Sequence, residues 1–120
     1  RVLFRSGYKR HRIAQLAVQE GIPIVWMKEG AGARMGARTG TPARVPNDLE
    51  PMADCNGQVP VVCLVLGVSA GHGALAAPMA DFVVMTKQAA LFTGGPELVR
   101  AATGEEITAL ELGGWQVCVE

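Results

Sequence analysis

The stretch Val59–Met85, VPVVCLVLGVSAGHGALAAPMADFVVM, decides the fold. It opens on the apolar run Val59–Leu66, which lacks the polar alternation of a half-exposed strand. Such a run suits a strand buried on both faces. Gly67–Gly73 is a turn of small residues, Ala74–Ala80 reads as a short helix, and Phe82–Met85 reads as a second buried strand. The order strand, glycine-rich turn, helix start leaves backbone N–H groups without intrahelical acceptors, pointing at whatever lies before the helix. The turn carries little side-chain bulk, so a ligand can approach its backbone closely.

On the N-terminal side, Lys9–Glu20 has a helical period, with Ile13, Leu16 and Ala17 on one face. Gly21 is placed to stop that helix and Pro23 to block its continuation. His11 sits among the basic residues of its first turns and reads as a solvated surface histidine. Ile22–Met27, IPIVWM, is a third short apolar run and a third expected buried strand. Helix, turn, strand and glycine loop in that order argue for α/β packing rather than an all-β domain. Arg1–Ser6, RVLFRS, follows no period and resembles a translated sequencing-adapter end. It is therefore expected to be a non-native artefact, with residues 7–120 forming part of one domain.

The loop Gly30–Gly36, GAGARMG, resembles a dinucleotide fingerprint only superficially. That fingerprint needs a helix directly after the loop, then a strand ending in an acidic residue about twenty positions on. Here Gly40, Pro42, Pro46 and Pro51 follow, which rule out a long regular helix. Asp54 lies at roughly the right distance but follows no strand. Thr39–Gln58 reads as a polar, proline-rich connection, either a covering loop or plain surface.

Beyond Met85, Ala89–Phe92 is an expected strand and Glu97–Ala102 an expected helix, with Pro96 placed at its start. Thr103 and Glu106 have the spacing of a capping box for the next helix, which Gly113–Gly114 closes. Trp115–Val119 alternates as an edge strand does.

At 120 residues the chain holds one domain at most. Eleven basic and 11 acidic residues balance, so net charge points to no nucleic-acid partner. No apolar run reaches membrane-spanning length. Cys55, Cys63 and Cys118 are odd in number and form no CxxC pair, which suits a reduced, cytoplasmic setting better than a disulfide framework. Ser69 lies near the second glycine turn, but no GxSxG surrounds it. Metal-ligand spacing is absent and neither histidine has a nameable partner. Side-chain acid–base chemistry is thus poorly supported, whereas chemistry at backbone amides is well supported.

Four segments in order carry a resemblance to a known family: KEGAGARM at Lys28–Met35, VLGVSAGHGALAAPMADFVVM at Val65–Met85, LFTGGPELV at Leu91–Val99 and TGEEITALELGG at Thr103–Gly114. Together they resemble the carboxyltransferase β subunits of biotin-dependent acyl-CoA carboxylases of the propionyl- and methylcrotonyl-CoA type, from about Lys9 to Gln116. The resemblance implies a crotonase-like α/β fold (the ClpP/crotonase superfamily), here an incomplete ββα superhelix from the N-terminal half of such a subunit. It implies carboxyl transfer from carboxybiotin, carried by a partner biotin carboxylase or biotin carrier subunit, to the α-carbon or vinylogous carbon of an acyl-CoA. It also implies a homo-oligomeric full-length subunit whose site lies between halves of two subunits, so that this segment alone is inactive.

In crotonase-like folds two backbone N–H donors hold the thioester enolate, one from the first loop and one from the start of the central helix. Carried over, the donors are Gly71 and His72 in the second loop and Gly32 and Ala33 in the first. Substrate-binding positions are Gly73, Arg34, Gly95 and Pro96, although Arg34 also suits a structural salt bridge. No metal is implied. Two departures stand out. Ala31 replaces the first glycine of the family's SGGAR segment, and Gly71-His72-Gly73 replaces a Gly-Gly pair. His72 keeps its N–H, and its imidazole reads either as a pocket wall that narrows acyl acceptance or as a proton-transfer group. A third departure is Cys118, where the family commonly has histidine. The alternative to an enzyme segment is a non-catalytic crotonase-like module that binds CoA or only assembles with partners.

Overall fold

The computed structural model describes residues 2–30, 32 and 49–119, with backbone alone over 2–6. Helix α1 (Val2–Glu20) precedes strand β1 (Ile24–Gly30), and α2 (Leu49–Cys55) precedes β2 (Val61–Ala70). A 3-10 helix (Gly71–Met79) leads into β3 (Phe82–Met85) and β4 (Ala90–Phe92). Three short helices follow: α3 (Pro96–Thr103), α4 (Ala109–Gly113) and α5 (Trp115–Cys118).

Helix α1 stops where the sequence places its stop. Gly21 takes the left-handed conformation at φ +64°. Its N–H donates to Val18 O at 3.3 Å and the Ile22 N–H to Ala17 O at 3.0 Å, the nested pair of bonds that closes a helix on glycine. The helix starts earlier than the expected Lys9, and its buried stripe is Ala14 and Ala17 with Val18 beside them, while Ile13 faces solvent. Two alanines let the helix backbone approach the neighbouring elements closely.

The sheet is parallel throughout the described strands, and β2 is its centre. β1 runs along one edge of β2, with Ile24 opposite Val61 and Lys28 opposite Val65. β3 pairs the first half of the other edge, Val62 to Val65, and β4 the second half, Val68 to Ala70. Between Lys28 and Gly30 the register slips, because β2 passes from Val65 to Ser69 while β1 advances only two positions. Asp81 ties the start of β3 to β2: its carboxylate accepts the Val61 N–H at 2.7 Å and its own N–H donates to Val61 O at 2.9 Å.

The core lies on one face of this sheet. Ile24, Trp26, Val61, Cys63 and Val65 point into it, against Ala14 and Ala17 of α1, Met52 and Cys55 of α2, and Ala76 and Ala77 of the 3-10 helix. This corrects the expectation of strands buried on both faces. Successive strand side chains point to opposite faces, and among the described residues the core-forming helices lie against one of them. On the other face Val25 is 55% exposed, Met27 71% and Phe82 64%, with Leu66 and Val84 also exposed. The run expected to start at Ile22 begins at Ile24, and Ile22 is exposed.

Four other expectations are corrected. Within the connection expected over Thr39–Gln58, Leu49–Cys55 is a helix that sends Met52 and Cys55 into the core. The turn expected over Gly67–Gly73 is strand as far as Ala70, and the short helix expected from Ala74 is a 3-10 helix that begins at Gly71. It runs past Pro78 to Met79, as its sequence predicts, although proline removes an N–H. The capping box falls on Thr108 and Glu111, not on Thr103 and Glu106. The Thr103 hydroxyl instead donates back to Val99 O at 3.0 Å, and Gly104 at φ +78° ends α3 there. Finally, Trp115–Val119 is not a strand. Its N–H groups bond locally, Cys118 to Gly114 O at 3.1 Å and Val119 to Trp115 O at 2.9 Å. Val117 and Val119 are both exposed, so this segment has no apolar face that a sheet edge would bury. It is tied to the sheet by the antiparallel bridge between Ala90 and the preceding Gly114 and by the Cys118 thiol, which donates to Leu91 O at 3.8 Å.

Candidate active site

Parallel strands send their carboxyl ends to the same side, and in open α/β sheets ligands bind there. β1 ends at Gly30, in register with Ser69, and β4 ends at Phe92, in register with Ala70. The last residues of three strands therefore meet around Ser69 and Ala70. There the chain turns at Gly71, φ +69°, into the 3-10 helix. A non-glycine residue held in that left-handed conformation costs roughly 1–2 kcal/mol, which explains the glycine.

The first loop reaches the same point. Gly32 also has a left-handed backbone, at φ +88°. A Cβ on Gly32 would sit 3.7 Å from the Ala70 Cβ, and one on Gly71 would sit 4.0 Å from the Gly32 Cα. Gly32 thus lies beside Ala70 and Gly71, with the Ala70 methyl the nearest side chain. Sequence reasoning placed Gly32 and Gly71 at one site, and the structure brings them together.

Gly71, His72 and Gly73 form the first turn of the 3-10 helix. Ala70, at the N-cap, contributes no side-chain hydrogen bond to it. The opening N–H groups of a helix have no acceptor within the helix and carry the positive end of its dipole. This arrangement suits an anion or a carbonyl oxygen that gains negative charge. The His72 side chain is exposed at the mouth of the turn.

The remaining candidates are placed less directly. Ala33 and Arg34 lie outside the described residues. Gly95 caps α3 and Pro96 opens it, three residues beyond Phe92, so both stand at the same end of the sheet. A Cβ on Gly95 would lie 3.4 Å from the edge of the Phe92 ring, and Gly71 is not among its near neighbours. Among the described residues no group of histidine, cysteine, aspartate or glutamate side chains is arranged to hold a metal ion.

Two features of the site were not legible beforehand. Phe92 forms its wall next to Ala70 through a strand pairing that the sequence does not announce. Ser69 is 3% exposed, the one polar residue in the buried set among the described residues. Its signal was present in the alternation Val61, Cys63, Val65, which points odd positions inward.

Residues 5–120 match the carboxyl transferase domain. The beta5 subunit of the biotin-dependent acetyl-/propionyl-coenzyme A carboxylase of Mycobacterium tuberculosis (strain ATCC 25618 / H37Rv) is 31% identical over 109 residues, 90% of this chain and 20% of that protein. The propionyl-CoA carboxylase beta chain of Rhodococcus erythropolis is 34% identical over 98 residues, 82% of this chain and 21% of that protein. The chain thus spans about a fifth of the length of these curated relatives. Among solved structures, a single-chain, multi-domain long-chain acyl-CoA carboxylase aligns with a TM-score of 0.76 at 26% identity, covering 94% of this chain and 11% of that one. The transcarboxylase 12S hexamer, with hydrolysed methylmalonyl-coenzyme A bound, also aligns with a TM-score of 0.76, at 27% identity, covering 95% of this chain and 22% of that one.

Proposed function

Because the chain belongs to the carboxyl transferase domain family, with a crotonase-like α/β fold, we propose that it builds the acyl-CoA side of a biotin-dependent carboxyltransferase. The full-length protein moves a carboxyl group to the α-carbon, or the vinylogous carbon, of an acyl-CoA. Carboxybiotin, on a partner carrier protein, supplies that carboxyl group as a co-substrate. The observation that carries this reading is the contact of Gly32 with Ala70 and Gly71 at the start of the 3-10 helix.

The chemistry follows from that geometry. Removing a proton from the α-carbon of a thioester moves negative charge onto the carbonyl oxygen. Fixed N–H donors aimed at that oxygen stabilise the charge, with a single donor contributing about 3–4 kcal/mol in enzymes where one has been removed. Gly71 and His72 are assigned as such donors at the helix start, with Gly32 beside them; Ala33 is assigned as a donor from the sequence resemblance alone. The glycines leave room for the thioester to reach the backbone. Arg34 is assigned to a phosphate of the CoA moiety, and Gly73, Gly95 and Pro96 to the walls around the substrate. The His72 imidazole stands at the pocket wall, where it limits the acyl groups accepted.

The relatives are named as β subunits or β chains of carboxylases, which supports a biotin carboxylase or biotin carrier subunit as partner. The transcarboxylase 12S neighbour is a hexamer, which supports a homo-oligomer for the full-length subunit. We place the reaction in the cytoplasm. No helix among the described residues is long and apolar enough to cross a membrane.

The test is carboxyl transfer by the full-length subunit with its biotin-carrying partner, across a series of acyl-CoAs. Gly71→Val puts a branched side chain against Gly32, where the thioester would approach. It should abolish turnover while leaving the protein folded by circular dichroism. Turnover by Gly71→Val within a few-fold of wild type would sink the backbone-donor assignment.

A further inference from the structure

Ser69 takes no part in the reading above, yet it sits at its centre. It is held on both sides by the sheet, opposite Gly30 on β1 and opposite Leu91 on β4. It is 3% exposed and points inward with Val61, Cys63 and Val65, toward the elements that cover the sheet. The element directly above it is the first turn of the 3-10 helix. A Cβ built on Gly73 would sit 3.7 Å from the Ser69 Oγ, so only the absent side chain of Gly73 separates that backbone from the hydroxyl. Buried hydroxyls are normally hydrogen-bonded. The Gly73 backbone close to this hydroxyl belongs to the turn whose opening amides lack intrahelical acceptors.

We propose that Ser69 is a positioning residue for carboxyl transfer, its hydroxyl supporting the Gly71–Gly73 turn from beneath and fixing the direction of the amides that face the thioester oxygen. This inference rests on the backbone-donor reading. With no side chain on Gly73, the hydroxyl faces the Gly73 backbone directly, at the inner end of the turn, which leaves the Gly71 and His72 amides for the thioester oxygen. Direction matters because an amide stabilises developing charge only when aimed at it, and small misplacements near reacting atoms cost large factors in rate.

Two variants separate a hydrogen-bonding role from a packing role. Ser69→Ala removes the hydroxyl. Ser69→Cys keeps a side chain of similar size and offers only a weak donor and acceptor. In the full-length subunit with its partner, both should lower kcat about tenfold or more with KM for the acyl-CoA nearly unchanged, at an unchanged melting temperature. Hydrogen exchange, followed on peptides spanning 69–75 of the full-length subunit, should be faster in both variants and unchanged elsewhere.

Normal exchange and normal kcat in Ser69→Ala would overturn the proposal. So would Ser69→Cys behaving as wild type while Ser69→Ala is impaired, since the residue would then act by volume alone. Failure of both variants to fold would overturn it too, because the hydroxyl would serve the fold rather than the turn. If the wild-type subunit carboxylates no acyl-CoA, the functional reading fails, and the exchange measurement still decides whether Ser69 holds the turn.

Discussion

Gly113→Ala tests the packing that seats the C-terminal helices on the sheet. Gly113 is buried in α4 against β4. A Cβ there would overlap the Leu91 carbonyl oxygen and lie 2.9 Å from the Leu91 carbonyl carbon and 3.3 Å from its nitrogen. All three atoms are backbone, and Leu91 is fixed in register with Ser69. The strand has no rotamer with which to yield, so α4 must move instead, straining the bridge between Ala90 and Gly114. Overpacking of this kind costs about 3 kcal/mol, the upper part of the usual range, because no side chain can give way. Alanine in place of a helical glycine returns up to about 1 kcal/mol. The net loss is about 2 kcal/mol, or roughly 2 °C in melting temperature for a full-length protein about five times the length of this segment. Differential scanning calorimetry of the purified full-length protein reads it, with two internal controls. Gly30 has nothing within 4 Å of its built Cβ, so Gly30→Ala should stay within about 0.5 kcal/mol of wild type. Gly104 also has open space but φ +78°, so Gly104→Ala should fall between, losing about 1 kcal/mol through backbone strain alone. If Gly113→Ala melts with Gly30→Ala, the close approach of α4 to β4 is wrong.

Further outcomes are expected at other positions. The Thr108 hydroxyl and N–H both donate to the Glu111 carboxylate, at 2.7 and 2.9 Å. The side-chain bond first, and the backbone bond second, hold that carboxyl below the usual range. Its contribution to stability is therefore complete above the ordinary carboxylate pKa and lost as pH falls through the depressed value. The melting-temperature difference between wild type and Glu111→Gln should shrink or reverse with acidification, and a pH-independent difference would remove the capping-box argument. Burial pushes the Cys63 thiol up, with Lys28 opposing, and burial followed by the Asp54 charge pushes the Cys55 thiol up. Stability that depends on these protonated thiols is present below the ordinary thiol pKa and lost as pH rises through the raised values. Iodoacetamide at mildly alkaline pH should label the exposed Cys118 first and reach Cys55 and Cys63 only in denaturant, as read by peptide mass spectrometry. Early labelling of Cys63 would contradict its place in the core. Under the proposed function, His72→Gly should keep turnover and admit larger acyl-CoAs, and an unchanged acyl preference would exclude the imidazole from the pocket wall.

The sequence determined by itself whatever depends on local chemistry. Glycine alone relieves the left-handed backbone at Gly21, Gly32 and Gly71, and so the stop of α1 and both loops of the site were legible. Apolar runs announced β1, β2 and β3, and Pro96 announced the start of α3. The family resemblance, carried by four ordered segments, reached the carboxyl transferase assignment that residues 5–120 support. Tertiary structure decided what depends on neighbours far along the chain. An apolar run records that a strand can be buried but not how many of its faces are covered, so Met27 and Phe82 were expected inside and are exposed. The S/T-x-x-E spacing occurs at both Thr103 and Thr108, and only the backbone path chose Thr108. Trp115–Val119 alternates like a strand, but with no sheet edge for its apolar side chains to cover, local i→i+3 and i→i+4 bonds made it a helix. The meeting of Gly32 with Gly71, over Ser69 and beside Phe92, needed the register of three parallel strands. Register is set by the summed packing of whole strands against α1, α2 and the 3-10 helix, and no local stretch of sequence contains that sum.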